Sequence, residues 1–221
     1  MTPLSDTSDV SRRHQLLETV QGVRAELVVT GPRYENPDAD FARVALPASD
    51  CDALRDLVIR ERAGVVIEIG LAYGSSALAI GEALLSQDVN DPKHLIVDPY
   101  QDHFHHVGWN AIERAGLTDG AELVPERSQV ALPRLLAQGF TADVGFVDGS
   151  HLFHNVFVDL YFLRELVRPN GLIILDDCDW PSVGTAVSYF ELNCGWQSQA
   201  PTQSSRLRSF RLPDHVVEPE A

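Results

Sequence analysis

Apolar residues along the chain alternate between short continuous runs and longer stretches with helical spacing. The short runs predict five buried strands at residues 65–69, 95–97, 122–124, 144–147 and 172–175. The segments between and after them predict helices at residues 75–86, 109–115, 130–138, 155–167 and 182–192. Strands that alternate with helices in this way form a parallel sheet with helices on both faces, so we predict a Rossmann-like α/β fold.

Both ends of the chain depart from this alternation. Residues 11–27 place apolar side chains at helical spacing, residues 31–37 predict an irregular loop, and a second helix is predicted from about 49 to 62. Residues 206–212 predict a late strand, placed antiparallel at the sheet edge. We therefore predict an N-terminal helix and loop extension over residues 1–46, acting as a lid or an oligomer contact, and an α/β domain over residues 47–221.

The composition is that of a globular protein rather than a secreted or membrane protein. Of the 221 residues, 44% are hydrophobic and 22% are charged, which suffices for a sizeable core. The three cysteines show no paired CxxC spacing, which favours reduced thiols over disulfides or a zinc site. No apolar run reaches the ~20 residues of a membrane span, and the polar N-terminus lacks a signal-peptide pattern. A cytoplasmic location is expected.

The charge balance bears on possible partners. The formal net charge is −15, and such a surface repels phosphate backbones and anionic lipids. Nucleic acids and membranes are therefore not expected as partners. A small molecule is expected as the substrate, and a homo-oligomer stays an open alternative.

A glycine-containing loop follows the first predicted strand. Glu68, Gly70 and Gly74 have the spacing ExGxxxG, and Ser75 then opens the next helix. The two glycines allow close backbone approach to a ligand, and the helix start offers free N–H groups. The spacing differs from the GxGxxG dinucleotide fingerprint and suits a zwitterionic amino-acid tail better than a pyrophosphate. A simple turn would also explain these glycines.

The next two predicted strands also end in polar residues. Asp98 follows the second strand, where a carboxylate accepts hydrogen bonds from ribose hydroxyls in related nucleotide-binding sheets. Its alternative role is that of a helix cap or a turn residue before Pro99. Ser128 follows the third strand and is placed beside an adenine by position alone.

Three carboxylates follow the fourth and fifth predicted strands. Asp148 comes after the fourth strand, and Asp176 and Asp177 come after the fifth. Neighbouring parallel strands lie roughly 5 Å apart, so these side chains are expected to converge, and their mutual repulsion calls for a cation. Oxygen ligands favour Mg²⁺ over zinc. The alternative is that one or two of these aspartates cap the following helices or accept hydrogen bonds from loop backbone.

The segment from about residue 65 to 212 resembles the class I S-adenosylmethionine (SAM)-dependent methyltransferases. The resemblance rests on Glu68-x-Gly70-x-x-x-Gly74, on Asp98 after the second strand and on the strand order. It implies that residues 47–221 bind SAM, with the methionine part surrounded by the loop and the ribose held by Asp98. The cofactor-binding residues expected are Glu68, Gly70, Tyr73, Gly74, Ser75, Asp98, Ser128 and Asp148.

A second stretch is similar to a narrower family. The sequence Asp148-Gly149-Ser150-His151, followed by RPNGLIILDD ending at Asp177, resembles the metal-dependent O-methyltransferases, most closely the macrocin type and more distantly the catechol type. The resemblance implies that Asp148, Asp176 and Asp177 hold Mg²⁺ or another divalent cation and that His151 is the general base. One departure is the Asp-Asp pair, where relatives also carry Glu or Asn. The function expected is Mg²⁺-assisted methylation of a small-molecule hydroxyl, such as a sugar or natural product.

Two other functions remain open from the sequence. The first is a metal-independent N- or carboxyl-methyltransferase, in which the aspartates bind an amine or cap helices. The second is a SAM-binding module without catalysis, although the acidic cluster beside His151 argues against it because buried charges without a function are costly. Trp109 and Trp180 either line an acceptor pocket or pack in the core.

Overall fold

The computed structural model describes residues 7–32, 41–200 and 206–219. Within these residues the helices are α1 Thr7–Thr30, α2 Phe41–Val44, α3 Ala48–Arg60, α4 Ser75–Leu85, α5 Val107–Arg114, α6 Ser128–Ala137, α7 Phe153–Leu166 and α8 Pro181–Asn193. The strands are β1 Val65–Ile69, β2 Lys93–Val97, β3 Ala121–Val124, β4 Ala142–Val147, β5 Val167–Leu175, β6 Gln197–Ser198 and β7 Arg208–Arg211.

The strands form one sheet in the order β3-β2-β1-β4-β5-β7-β6. The first five are parallel, whereas β7 runs antiparallel to β5 and β6 antiparallel to β7. The register aligns the last residues of four strands, because Ile69 pairs with both Val97 and Val147, and Val147 pairs with Leu175. The residues that follow these strand ends therefore lie along one edge of the sheet.

Helices cover both faces of the sheet. One apolar cluster joins α3 and α4 to β1, β4 and β5, with Leu54, Ile80 and Phe146 at its centre. A larger cluster joins α6, α7 and α8 to the opposite face around Leu160, Val187 and Phe210. Helix α1 packs on the outside of α4 through Val20 and Leu78, among others. None of the described helices is both long and apolar enough to span a membrane.

The predicted Rossmann-like fold with an antiparallel edge strand is confirmed. The helices begin or end within a few residues of their predicted bounds. Strand β5 begins at Val167 instead of residue 172 because Val167 already pairs with Ala142 of β4, ahead of an irregularity that ends at the Val144–Leu172 pair. The sequence did not predict the short elements α2 and β6. The loop predicted at 31–37 lies, from residue 33 on, outside the described residues. The division at residue 46 stays a prediction.

Candidate active site

The glycine loop after β1 is held tightly against the end of β4. Gly70 has φ +98°, and a Cβ atom added there would lie 2.2 Å from the backbone oxygen of Asp148. Gly74 has φ +85° and is the N-cap of α4. Only glycine combines these backbone angles with such close contact. The loop and Asp148 therefore belong to one site.

Glu68 lies beneath this loop, and its side chain is not accessible to solvent. Its side chain is fully buried and accepts a hydrogen bond from Ser76, the second residue of α4. Its other carboxylate oxygen lies 2.8 Å from Nε2 of His94, which is itself 3% exposed on β2. Glu68 thereby ties β1, β2 and α4 together below the predicted cofactor position.

Asp98 is 4% exposed and supports the same loop. Its Oδ2 accepts hydrogen bonds from the backbone N–H groups of Leu71 and Ala72 and from the side chain of Gln101, at 2.8, 3.0 and 3.3 Å. Its Oδ1 accepts one hydrogen bond, from the N–H of Tyr100 at 2.6 Å. Of these four hydrogen bonds, three fall on Oδ2 and one on Oδ1, so Oδ1 is the less occupied of the two carboxylate oxygens.

Tyr73 and Ser75 face the N-terminal helices. The Tyr73 ring is buried between Phe41 and Phe104, with centroid distances of 5.1 Å to each in edge-on geometry. Ser75 borders a cavity of about 660 Å³ whose walls come from α1, α2, α3 and the start of α4. The predicted N-terminal extension thus contributes a wall to a cavity that opens beside the glycine loop.

Ser128, predicted beside an adenine, is buried at the start of α6 and donates a hydrogen bond to the Asp159 carboxylate on α7. Asp159 is 1% exposed, and its Oδ1 has no hydrogen-bond partner among the described residues. Burial raises the pKa of Asp159 to about 7, although the hydrogen bond from Ser128 opposes this. The carboxyl group therefore changes protonation near neutral pH inside the α6–α7 interface.

Replacing Asp159 with asparagine should make the stability of the protein less dependent on pH. Between its unfolded pKa near 4 and its folded pKa of about 7, the folded state keeps a proton that the unfolded state releases, so Asp159 makes the native state less stable as pH rises. The advantage of Asp159→Asn over wild type should grow by roughly 2–3 kcal/mol between about pH 5 and about pH 8, as measured by urea unfolding. Asp91→Asn, at an exposed aspartate, is the control, and parallel profiles for Asp159→Asn and wild type would contradict the prediction.

At the ends of β4 and β5, Asp148, His151 and Asp177 come together. One ligand atom from each lies within 4.8 Å of the other two. Nε2 of His151 lies 3.0 Å from Oδ2 of Asp177, and about a third of the histidine side chain is exposed. Carboxylate and imidazole groups at this spacing are ligand types that bind divalent cations.

Asp176, the third predicted metal ligand, is held elsewhere. Its side chain is 1% exposed and accepts hydrogen bonds from Nε and Nη2 of Arg206, at 3.2 and 2.5 Å. Nη2 of Arg206 also donates to Oδ1 of Asp177 at 2.9 Å. A guanidinium group therefore joins the two adjacent aspartates that were predicted to bind metal.

The charges of the cluster are strongly coupled. Burial, followed by the nearby charges of Asp176 and Asp177, raises the pKa of Asp148 well above its ordinary value. Burial and the charge of Asp177 also raise the pKa of Asp176, while Arg206 opposes that shift. The site disfavours three simultaneous negative charges unless a cation is present, as expected for carboxylates in contact.

Trp180 forms part of the rim of this cluster and is not a core residue. It is 53% exposed, and its ring stacks on the imidazole of His151 with a centroid distance of 4.9 Å. The carbonyl oxygen of His151 accepts a hydrogen bond from Ser182, at the start of α8. The position of His151 is therefore fixed on two sides, with an aromatic surface beside it.

Sequence reasoning missed three residues of this region. Arg206 is separated by about thirty residues from the aspartates that it contacts, and no local pattern connects them. Asp159 is an acidic residue in α7, and its burial depends on the packing of α7 against α6. His94 did leave a signal, because it is a polar residue one position before the predicted apolar run 95–97, next to a buried strand that carries Glu68.

Comparisons with known proteins agree with this geometry. Residues 67–178 match a family model described as a methyltransferase domain. This match begins in β1 and ends just after Asp177, so it spans both the glycine loop and the acidic cluster. A search of curated proteins finds no match.

Solved structures with similar folds include three proteins in complex with a cofactor, two of which are O-methyltransferases. The O-methyltransferase from Bacillus cereus in complex with SAH is 18% identical, with a TM-score of 0.60 over 92% of this chain and 91% of that one. The O-methyltransferase TomG of tomaymycin synthesis from Streptomyces achromogenes, in complex with SAM, is 19% identical, with a TM-score of 0.63 over 91% and 90%. Cofactor-bound Rv0187 from MTB is 18% identical, with a TM-score of 0.65 over 97% and 99%. These similarities show a shared fold.

Proposed function

This chain belongs to the methyltransferase-domain family, and on that premise we propose that it transfers the methyl group of SAM to a hydroxyl group of a small molecule. The observation that carries the proposal is the contact between Gly70 and Asp148. It joins the loop predicted to hold the methyl donor to the cluster predicted to activate the acceptor. A donor and an acceptor held at these two places would meet at one edge of the sheet.

SAM, the methyl donor, would bind to residues that follow the ends of β1 and β2. The loop from Gly70 to Ser75 would surround the methionine part of SAM, with free N–H groups at the start of α4. Oδ1 of Asp98, the less occupied carboxylate oxygen, would take a ribose hydroxyl. Two of the structural neighbours carry SAM or SAH, which supports the choice of donor.

Replacing Asp98 with alanine should weaken SAH binding by about tenfold or more. A lost charge-assisted hydrogen bond costs ~1.5–3 kcal/mol, and the loop amides of Leu71 and Ala72 lose their acceptor as well. Titration calorimetry with SAH measures the change. Asp102→Ala, at an exposed position in the same turn, should leave the affinity unchanged. SAH affinity equal to wild type in Asp98→Ala would refute the placement of the ribose.

His151 is proposed as the base that takes the proton of the acceptor hydroxyl. With Nε2 of His151 lying 3.0 Å from Oδ2 of Asp177, Nδ1 would be the ring nitrogen whose lone pair accepts the proton. Asp177 then orients the ring and stabilises its protonated form, as the carboxylate does in other His–Asp pairs. The exposed face of Trp180 beside the ring offers an apolar surface for the acceptor.

While Arg206 stays in place, a divalent cation in this cluster would have a ligand set different from the predicted one. Asp148 and Asp177 have carboxylate oxygens close enough to share an ion, with His151 beside them, while Asp176 is bonded to Arg206. Mg²⁺ or another divalent cation held there would supply charge that lowers the pKa of an acceptor hydroxyl. The raised pKa of Asp148 indicates that the cluster has capacity for additional positive charge.

The test is methyl transfer with a panel of acceptors. The protein is incubated with SAM and sugars, catechols, other phenols or amines, with Mg²⁺ or with EDTA, and SAH is quantified by mass spectrometry. SAH formation with hydroxyl acceptors supports the proposal, and its loss in EDTA supports the cation. SAH binding without transfer to any acceptor would indicate a binding module instead.

A metal-independent methyltransferase is the second candidate. The observation that favours it is Arg206, which already supplies a positive charge to Asp176 and Asp177. Under this alternative, the His151–Asp177 pair alone would deprotonate the acceptor. Full activity in EDTA would select this candidate, as would transfer to amines or carboxylates only.

A further inference from the structure

Arg206 places a positive charge inside the acidic cluster. The guanidinium group binds both oxygens of the buried Asp176 and one oxygen of Asp177. The remaining oxygen of Asp177 faces His151. Every carboxylate oxygen of this Asp-Asp pair therefore lies against a nitrogen of Arg206 or of His151.

A divalent cation and this guanidinium group would bind the same carboxylate oxygens. A cation that enters between Asp148 and Asp177 would also lie close to a fixed positive charge, which repels it. Occupancy of Asp176 by the cation would require Arg206 to release it. The two positive groups are therefore alternatives at this pair.

We propose that Arg206 is an internal counter-cation that competes with a divalent cation for Asp176 and Asp177 and is displaced when that cation binds. This inference rests on the proposed function, because it concerns the cation of the same site. With Arg206 in place, the buried Asp176 has a counter-charge that does not come from a metal ion. The arginine thereby sets a weak affinity for the cation.

The competition predicts tighter metal binding when Arg206 loses its charge. Arg206→Gln removes the repulsion and frees Asp176 and Asp177, so the dissociation constant for Mn²⁺ should fall tenfold or more, since a charge-assisted hydrogen bond to a carboxylate counts for at least that factor. Arg206→Lys keeps the charge but not the forked geometry and should fall between wild type and Arg206→Gln. Bound Mn²⁺ is counted from the electron paramagnetic resonance signal of the free ion.

The matched control is Arg208→Gln. It removes the same charge two residues further along the chain, at the start of β7, but Arg208 is exposed and its guanidinium lies 5.3 Å from the centre of the Phe210 ring. Its Mn²⁺ affinity should equal that of wild type. Asp148→Asn in the Arg206→Gln background should abolish the tight binding, which assigns the ion to this cluster.

Circular dichroism and SAH calorimetry establish that each variant is folded. If Arg206→Gln is not folded, the Mn²⁺ affinity of Arg206→Lys is compared with that of wild type instead. Equal Mn²⁺ affinity in wild type and the folded Arg206 variants overturns the inference and leaves the proposed cation site intact. Absence of Mn²⁺ binding in all of them overturns both the inference and the cation, while retained SAH binding and turnover leave the methyltransferase proposal standing.

Discussion

Replacing His151 with alanine is expected to lower kcat by about 10²–10⁴-fold, the usual contribution of a general base. The affinity for SAH should change little, because His151 contacts Asp177 and Trp180 at the end of β4 and not the glycine loop. The loss should shrink at high pH, where the acceptor hydroxyl ionises without help. Single-turnover rates and SAH calorimetry on the same preparation separate the two effects.

The control for this variant is His154→Ala. His154 is an exposed histidine in the first turn of α7, only three residues from His151, and its loss should leave kcat within about twofold of wild type. Asp177→Asn provides an independent check, since it removes the partner of the His151 ring and should also lower kcat. Wild-type turnover in His151→Ala at neutral pH would remove the histidine from the mechanism.

The fold was predictable because its signals are local. Each parallel strand is an apolar run such as Val65–Ile69, and each helix carries its own spacing, so the alternation follows from short windows of sequence. The predicted loop and acidic cluster lie at one sheet edge because the carboxyl ends of parallel strands align. Position along the chain thus predicted which residues share an edge.

The directions of the side chains at that edge were not predictable in this way. Asp176 and Asp177 are adjacent in sequence, yet one is buried against Arg206 and the other, with φ +55°, also reaches His151. That difference depends on a guanidinium group about thirty residues away, which no local pattern identifies. Asp98 is similar, because its carboxylate is directed by the amides of the neighbouring loop. Long-range contacts decided these details.

Replacing Gly70 with alanine should cost the protein both its cofactor and much of its stability. The new Cβ would lie 2.2 Å from the oxygen and 2.7 Å from the carbonyl carbon of Asp148, and both are backbone atoms that no side-chain rotation can move. Overpacking and a positive φ at a non-glycine residue together cost roughly 2–5 kcal/mol. Relief requires the ends of β1 and β4 to separate, which displaces the donor loop from the acidic cluster. SAH affinity should fall by about 100-fold or more.

Gly139→Ala is the control that separates the clash of the new Cβ atom from the strain of a positive φ at a residue other than glycine. Gly139 also has a positive φ, +75°, but an added Cβ there meets no atom within 4 Å. That variant should lose only ~1–2 kcal/mol in urea unfolding and keep its SAH affinity. If Gly70→Ala shows the same stability loss in urea unfolding and the same SAH affinity as Gly139→Ala, the loop does not need its contact with Asp148. The joint donor and acceptor site would then lose its structural basis.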